Sequence, residues 1–97
     1  MTTTPTSSTR YTRVSQLPFR RLDDETVIVD ASRRAVHVLN GTGSEVWELL
    51  AQTRTIVDLV AALEHDGAFD AAFDAVARDL AAFVGELVEK GLVTESP

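Results

Sequence analysis

The sequence predicts an α+β domain in which a three-stranded antiparallel sheet precedes three helices. Short β-branched segments bounded by polar turns occupy residues 19–39. Apolar residues at helical spacing follow in residues 43–90. The turns between the strands are too short for parallel pairing. With 97 residues, 44% of them hydrophobic, the chain can form one small core and has no room for a second domain.

The first nine residues, MTTTPTSST, contain no large apolar side chain beyond the initiator methionine. Such a segment cannot offset the entropy lost on ordering. Tyr11, Val14 and Leu17 are candidate anchors further on, and Pro18 marks a turn or the entry to a strand. We expect residues 1–12 to form a disordered N-terminal tail and residues 13–97 to form the domain.

Three segments predict the strands: FRRL at 19–22, TVIVDA at 26–31 and AVHVL at 35–39. The polar groups DDE and SRR supply the turns between them. Because these connections are short, neighbouring strands are antiparallel and form a meander. If the strands follow one another in space as they do in sequence, the third predicted strand, residues 35–39, has an unpaired edge.

The stretch VLNGTGSEVWELL leaves this strand through two glycines and enters the first helix, at about residues 43–51. It lacks the third glycine of a dinucleotide fingerprint and the Gly-Lys-Ser/Thr of a phosphate-binding loop. Glu45 and Glu48 would also repel a phosphate at the helix N-terminus. Thr42 and Glu45 instead have the spacing of a capping box, so the stretch predicts a strand-to-helix corner.

The second helix is predicted from a capping box at Thr55 and Asp58, and it ends near residues 65–67. The third is long, at about residues 71–90, and Gly91 is placed as its left-handed C′ residue with Leu92 folding back on Leu87. These two helices and the first present apolar stripes. The residues of the stripes are Val46, Trp47, Leu49, Leu50, Ile56, Leu59, Val60, Leu63, Phe73, Val76, Leu80, Phe83, Val84 and Leu87.

The chain offers few groups for catalysis or for binding a cofactor. It has no cysteine, and His37 and His65 are its only histidines. Asp66, Asp70 and Asp74 are spaced four apart, which is more typical of a solvated helix face than of a metal ladder. We therefore predict a non-enzymatic protein without metal or cofactor. The sequence also contains no signal peptide or membrane span, so we expect a cytoplasmic protein with no membrane contact.

The charge distribution argues against nucleic acid as a partner. Residues 19–97 carry 7 basic against 15 acidic side chains, and the whole chain has a net charge of −6. Affinity for nucleic acids comes largely from cationic side chains that displace counterions from phosphate. A domain this acidic repels a phosphate backbone, and the second helix contains no lysine or arginine.

Several short motifs follow one another along the chain: Leu39-Asn40, Trp47-Glu48-Leu49-Leu50, Arg54-Thr55, Asp79 and Lys90-Gly91-Leu92-Val93. In their order and approximate spacing, and in the order of elements, they resemble the PqqD family, also known as RiPP precursor peptide recognition elements. The resemblance covers about residues 22–94. The chain departs from the family at Gly41 and at Ala51-Gln52.

This resemblance implies a winged helix-turn-helix-like fold and a specific way of binding. A leader peptide of a ribosomally made precursor would add as a strand along residues 35–39, with the third helix as the other wall. The protein would then present the precursor to a radical SAM enzyme, a cyclase or a leader protease, in a lasso-peptide or PQQ-like pathway. The residues implied in leader binding are Ala35, Val36, His37, Val38, Leu39, Val76, Asp79, Leu80 and Phe83.

Two questions remain open in the sequence. Val36 and Val38 point to one face of the strand and His37 to the other, and the pattern does not tell which face lines the pocket. Val76, Leu80 and Phe83 fit the core as well as a pocket. A winged-helix DNA-binding regulator and a homodimer through the same open edge are the alternative functions.

Overall fold

The computed structural model describes residues 9–65 and 73–96. The predicted α+β architecture is confirmed, with a three-stranded antiparallel meander, β2-β3-β4, ahead of three helices. Local pattern does not predict the second sheet, which pairs β1 with β5. The elements in chain order are β1 (Arg10–Arg13), β2 (Phe19–Leu22), β3 (Glu25–Asp30), β4 (Ala35–Leu39), α1 (Gly41–Leu49), α2 (Ile56–His65), α3 (Phe73–Glu89) and β5 (Val93–Ser96).

The meander is held by two tight turns. Asp23 takes the left-handed conformation, with φ of 56°, in the two-residue turn between β2 and β3. The turn from β3 to β4 is a short 3₁₀ helix, Ala31–Arg33, whose N-cap is Asp30. The Asp30 carboxylate accepts hydrogen bonds from the Ser32 hydroxyl at 2.7 Å and the Arg33 backbone N–H at 3.3 Å. These bonds set the register in which Ile28 lies opposite His37.

The strand β1 begins inside the segment predicted to be a disordered tail. Residues 10–12 form most of this strand, and Tyr11 is buried at 1% exposure. The backbone of Tyr11 also exchanges two hydrogen bonds with Arg54, at 2.8 and 2.9 Å. The predicted boundary at residue 12 is therefore wrong, because β5 supplies a partner that no local pattern reveals. Residues 1–8 of the predicted tail lie outside the described residues.

The helix α1 starts earlier than the predicted capping box allows. Its N-cap is Asn40, whose side chain makes no capping hydrogen bond. The Ser44 N–H already donates to the Asn40 carbonyl at 3.1 Å, and Gly41, with φ of 28°, allows the sharp entry. Thr42 thus lies inside the helix, and the prediction that Thr42 and Glu45 form a capping box is wrong.

The other two helix ends follow the sequence signals. At the start of α2, Thr55 Oγ1 accepts from the Asp58 N–H and Asp58 Oδ2 accepts from the Thr55 N–H, both at 3.1 Å. This reciprocal pair confirms the second capping box. After α3, Gly91 has φ of 77°, and the Leu92 N–H donates to the Leu87 carbonyl at 2.9 Å. The predicted Schellman ending is also confirmed.

The core lies between the helices and one face of the larger sheet. Trp47 is fully buried at its centre, as predicted, and the Phe19 ring meets it edge-on at 5.7 Å between centroids. No helix within residues 9–65 and 73–96 is long and apolar enough to cross a membrane. The buried hydrophobic residues are Tyr11, Ile28, Leu39, Val46, Trp47, Leu50, Ile56, Leu59, Val60, Leu63, Val76, Leu80, Val84, Leu87, Leu92 and Val93.

Candidate functional site: the edge of β4

The strand β4 is an end strand of its sheet. One of its edges pairs with β3 from Ala35 to Leu39. Along the other edge, the described part of the chain places no strand, because β5 pairs with β1 instead. An end strand of this kind presents backbone N–H and C=O groups that another chain can pair with. This edge is the candidate functional site.

The register shows which backbone groups point outward. In an antiparallel strand, each residue directs its N–H and C=O to the same side, and successive residues alternate. Val29 donates its N–H to the Pro18 carbonyl, on the β2 side, at 2.9 Å. Its partner Val36 therefore directs its backbone groups away from β3, as does Val38, whereas His37 directs its own towards Ile28. The free edge consists of the backbone groups of Val36 and Val38.

The side chains of β4 divide between two faces. Val36 and Val38 are 64% and 58% exposed, on the face away from the helices. Ala35 and His37 are half-buried, and Leu39 is buried, on the helix side of the strand. Ala35, His37 and Leu39 thus form the face of β4 that is turned towards the helices, and Val36 and Val38 form the opposite face. The Nε2 atom of His37 is buried and has no hydrogen-bond partner among the described residues.

The predicted residues of α3 separate into core and surface. Val76 and Leu80 are buried in the hydrophobic core. Phe83 is half-buried against that core, and Asp79 is exposed. Asp79 and Phe83 are four residues apart and so lie on one face of the helix. Of the predicted α3 residues, these two are the ones that an incoming peptide can reach without disturbing the core.

The start of α1 connects β4 to α3. Gly43 is buried there, and a Cβ atom at this position would lie 3.1 Å from Phe83 Cζ and 3.4 Å from Leu39 Cβ. Glycine therefore lets the start of α1 pack closely against the aromatic ring on α3 and against the end of β4. Sequence reasoning places Gly43 only at the start of the first helix, since nothing local to it indicates the distant phenylalanine.

A buried chain of hydrogen bonds fixes the end of β4 against α1. The Thr26 hydroxyl on β3 donates to Ser44 Oγ at 2.8 Å, and the Ser44 hydroxyl donates to the Leu39 carbonyl at 3.0 Å. Thr26 and Ser44 are both buried, so each bond satisfies a group that water cannot reach. The sequence offers no sign of this role for Ser44.

The other end of β4 is anchored by a carboxylate. The hydrogen bond from the Ser32 hydroxyl lowers the pKa of Asp30 below its usual value, against the opposing effect of burial. The backbone N–H and the charge of Arg33 lower the pKa of Asp30 further. Asp30 is thus ionised at neutral pH and holds the turn from which β4 starts.

The acidic row predicted to be a solvated face is only partly described. Asp66 and Asp70 lie outside the described residues, as does the side chain of Asp74. Within the described ranges, no group of three or more histidine, aspartate or glutamate side chains is arranged to hold a metal ion.

Comparison with known proteins assigns the chain to a family. The model of a family described as coenzyme PQQ synthesis protein D (PqqD) matches residues 25–93, which include all of the larger sheet except β2. A solved structure described as TbiB1 in complex with the TbiA(beta) leader peptide has a similar fold, with a TM-score of 0.75. The two chains are 24% identical, over 84% of this chain and 93% of the other. A comparison with curated protein sequences finds no match.

Proposed function

This chain belongs to the PqqD family, and from that premise we propose that it is a peptide-binding protein without catalysis of its own. It binds the leader segment of a ribosomally synthesised precursor by strand addition to β4. It then presents the precursor to an enzyme that modifies or cleaves it. The observation that carries the proposal is the open edge of β4, where the backbone groups of Val36 and Val38 point away from the sheet.

Strand addition divides affinity and selectivity between backbone and side chains. The main-chain hydrogen bonds along Val36 and Val38 allow many leader sequences to bind, because every residue except proline offers the same backbone N–H and C=O groups. Selectivity comes from side chains on the helix side of β4. His37 and Leu39 lie there, and Phe83 and Asp79 extend the surface on α3. A leader with alternating apolar residues fits such a surface, because alternate side chains of an added strand face the same way.

The comparisons support leader binding as the function. The solved protein of similar fold is in complex with a leader peptide. The partners that fit the proposal are a precursor peptide and a radical SAM enzyme, a cyclase or a leader protease, in a lasso-peptide or PQQ-like pathway. No observation favours the DNA-binding alternative. The helix α2 has no lysine or arginine, and α3 has Arg78 against four acidic residues.

Backbone hydrogen bonds at the open edge can be tested one at a time. We expect Val36→Pro and Val38→Pro each to weaken leader binding at least about tenfold, because each removes an N–H from the edge. Isothermal titration with the leader of the precursor encoded beside this gene measures the effect. The matched controls, Val36→Thr and Val38→Thr, keep the backbone and the β-branched shape.

Circular dichroism and thermal unfolding show whether each proline variant stays folded, so that a lost fold is not taken for a lost contact. Proline variants that are folded and bind the leader as tightly as the wild type would refute strand addition at β4. Failure of the wild-type chain to bind the leader at micromolar concentration would refute the function itself.

A further inference from the structure

A second surface lies on the side of the sheet away from the helices, which we call the outer face. Its side chains are those of Arg20, Leu22, Glu25, Val27, Val29, Val36 and Val38, which are in register across the three strands. Leu22, Val29, Val36 and Val38 are 40% to 64% exposed, and no described element covers them.

The composition of the outer face is unusual for a solvated sheet. A sheet with one face on the core normally alternates between apolar residues inside and polar residues outside. Here, every outward position from Val27 to Val38 carries valine. Strand propensity would be satisfied equally well by threonine. A contiguous exposed patch of aliphatic side chains is typical of a surface that another protein covers.

The patch contains an open depression of about 320 Å³. Leu22, Val27 and Val29 line it, together with Pro18, Phe19 and Arg20. The guanidinium of Arg20 has no ion-pair partner in residues 9–65 and 73–96, unlike that of Arg21, which pairs with Glu45 and Glu48. The depression therefore suits an apolar ridge with a carboxylate beside it.

The outer face is continuous with the proposed leader site. Successive residues of an added strand alternate between the two faces of a sheet. A leader paired with β4 would thus place every second side chain beside Val36 and Val38, at the border of the apolar patch. A protein seated on the outer face would contact the chain and its bound leader at the same time.

We propose that the outer face is the docking surface for the enzyme that acts on the precursor, an inference that rests on the proposed leader-binding function. That enzyme would present an apolar ridge to Leu22, Val27 and Val29 and a carboxylate to Arg20. A second copy of this chain fits less well, because each copy carries a net charge of −6 and the two would repel. Leader and enzyme would then bind cooperatively, since each completes the surface of the other.

The test uses outer-face residues of β2 and β3, whose backbone groups are not part of the free edge of β4. The variant Leu22→Gln/Val29→Gln removes two aliphatic contacts from the outer face, and Val57→Gln on α2 is the matched control at a comparably exposed aliphatic position. The probes are the labelled leader and the purified enzyme encoded beside this gene. Fluorescence anisotropy measures leader binding, and biolayer interferometry measures enzyme binding with and without the leader.

We expect the double variant to bind the enzyme at least about tenfold more weakly while its affinity for the leader stays within about twofold of the wild type. Val57→Gln should change neither affinity. Enzyme binding that survives the double substitution, or is missing already in the wild type, overturns the docking proposal. A wild-type dimer in sedimentation that the double variant converts to monomer also overturns it, because a second copy then occupies the face. If the wild type binds the enzyme but not the leader, the result counts against the proposed function instead.

Discussion

The strands β1 and β4 differ in how their two backbone edges are paired. On one side β1 pairs with β5, and on the other the N–H groups of Tyr11 and Arg13 donate to the carbonyls of Arg54 and Leu50. Within the described residues, β4 is paired only on the side towards β3, and Val36 and Val38 direct their backbone groups outward. One strand is closed on both sides and contributes to stability. The other is left with one open edge, which is where we propose that the leader binds.

The difference extends to the side chains. Tyr11 of β1 is buried, whereas Val36 and Val38 of β4 are largely exposed. Substitutions around β1 should therefore change the free energy of unfolding, and substitutions along the edge of β4 should change binding. The proline variants of Val36 and Val38 test the binding side of this division, and three predictions test the stability side, ordered by the size of the expected effect.

Replacement of Tyr11 should have the largest effect on stability. Tyr11→Ala empties a buried aromatic site and should lower the free energy of unfolding by about 3 to 5 kcal/mol. The Tyr11 hydroxyl is buried and has no hydrogen-bond partner in the described part of the chain, so Tyr11→Phe should be as stable as the wild type or more stable. Urea denaturation measures both variants. If Tyr11→Phe were as damaging as Tyr11→Ala, β1 would be held by something other than packing.

Replacement of Ser44 should have an intermediate effect and sharpen the account of how β4 is anchored. Ser44→Ala leaves the Thr26 hydroxyl and the Leu39 carbonyl without their partner, which should cost about 1 to 3 kcal/mol. Thr42→Ala in the same helix should change stability by less than about 0.5 kcal/mol, because Thr42 is exposed and caps nothing. If denaturant unfolding showed equal losses of stability for the two substitutions, Thr42 would have to act as a cap, which would contradict the structure.

The smallest effect should be a pH dependence at the start of β4. The pKa of Asp30 is lower in the folded chain than its usual value of 3.8, first because of the Ser32 hydroxyl. A lowered carboxyl pKa contributes stability above pH 3.8, and that contribution is lost as the pH falls through the folded pKa. Ser32→Ala should therefore destabilise the chain at neutral pH and approach the wild type in acid. A difference from the wild type that stays constant with pH, measured by denaturation across this range, would contradict the role of Asp30.

Most of the fold can be predicted because its signals are local. The meander, the capping box at Thr55, the Schellman ending at Gly91 and the burial of Trp47 all depend on residues within a few positions of one another. The strand of the candidate site is predicted for the same reason. Alternation in AVHVL indicates a strand, and short turns place it last in the meander.

The remaining features depend on contacts between distant parts of the chain. The pairing of β1 with β5 joins Thr12 to Thr94, which are 82 positions apart along the chain. Each of these two strands has only four residues, and neither carries a local signal for a partner so distant in the sequence. The roles of Gly43 and Ser44 likewise depend on Phe83 and Thr26, which lie on other elements.

Local residue pattern thus defined which segments become strands and helices, where two helices cap, and that β4 follows β3. Packing decided that the ends of the chain pair with each other, and so left the edge of β4 open in the described chain. It also decided that His37 faces the helices while Val36 and Val38 face outward. The physical reason is that periodicity and capping act over a few residues, whereas the choice of a strand's partner and face is made by whichever distant surface buries it best.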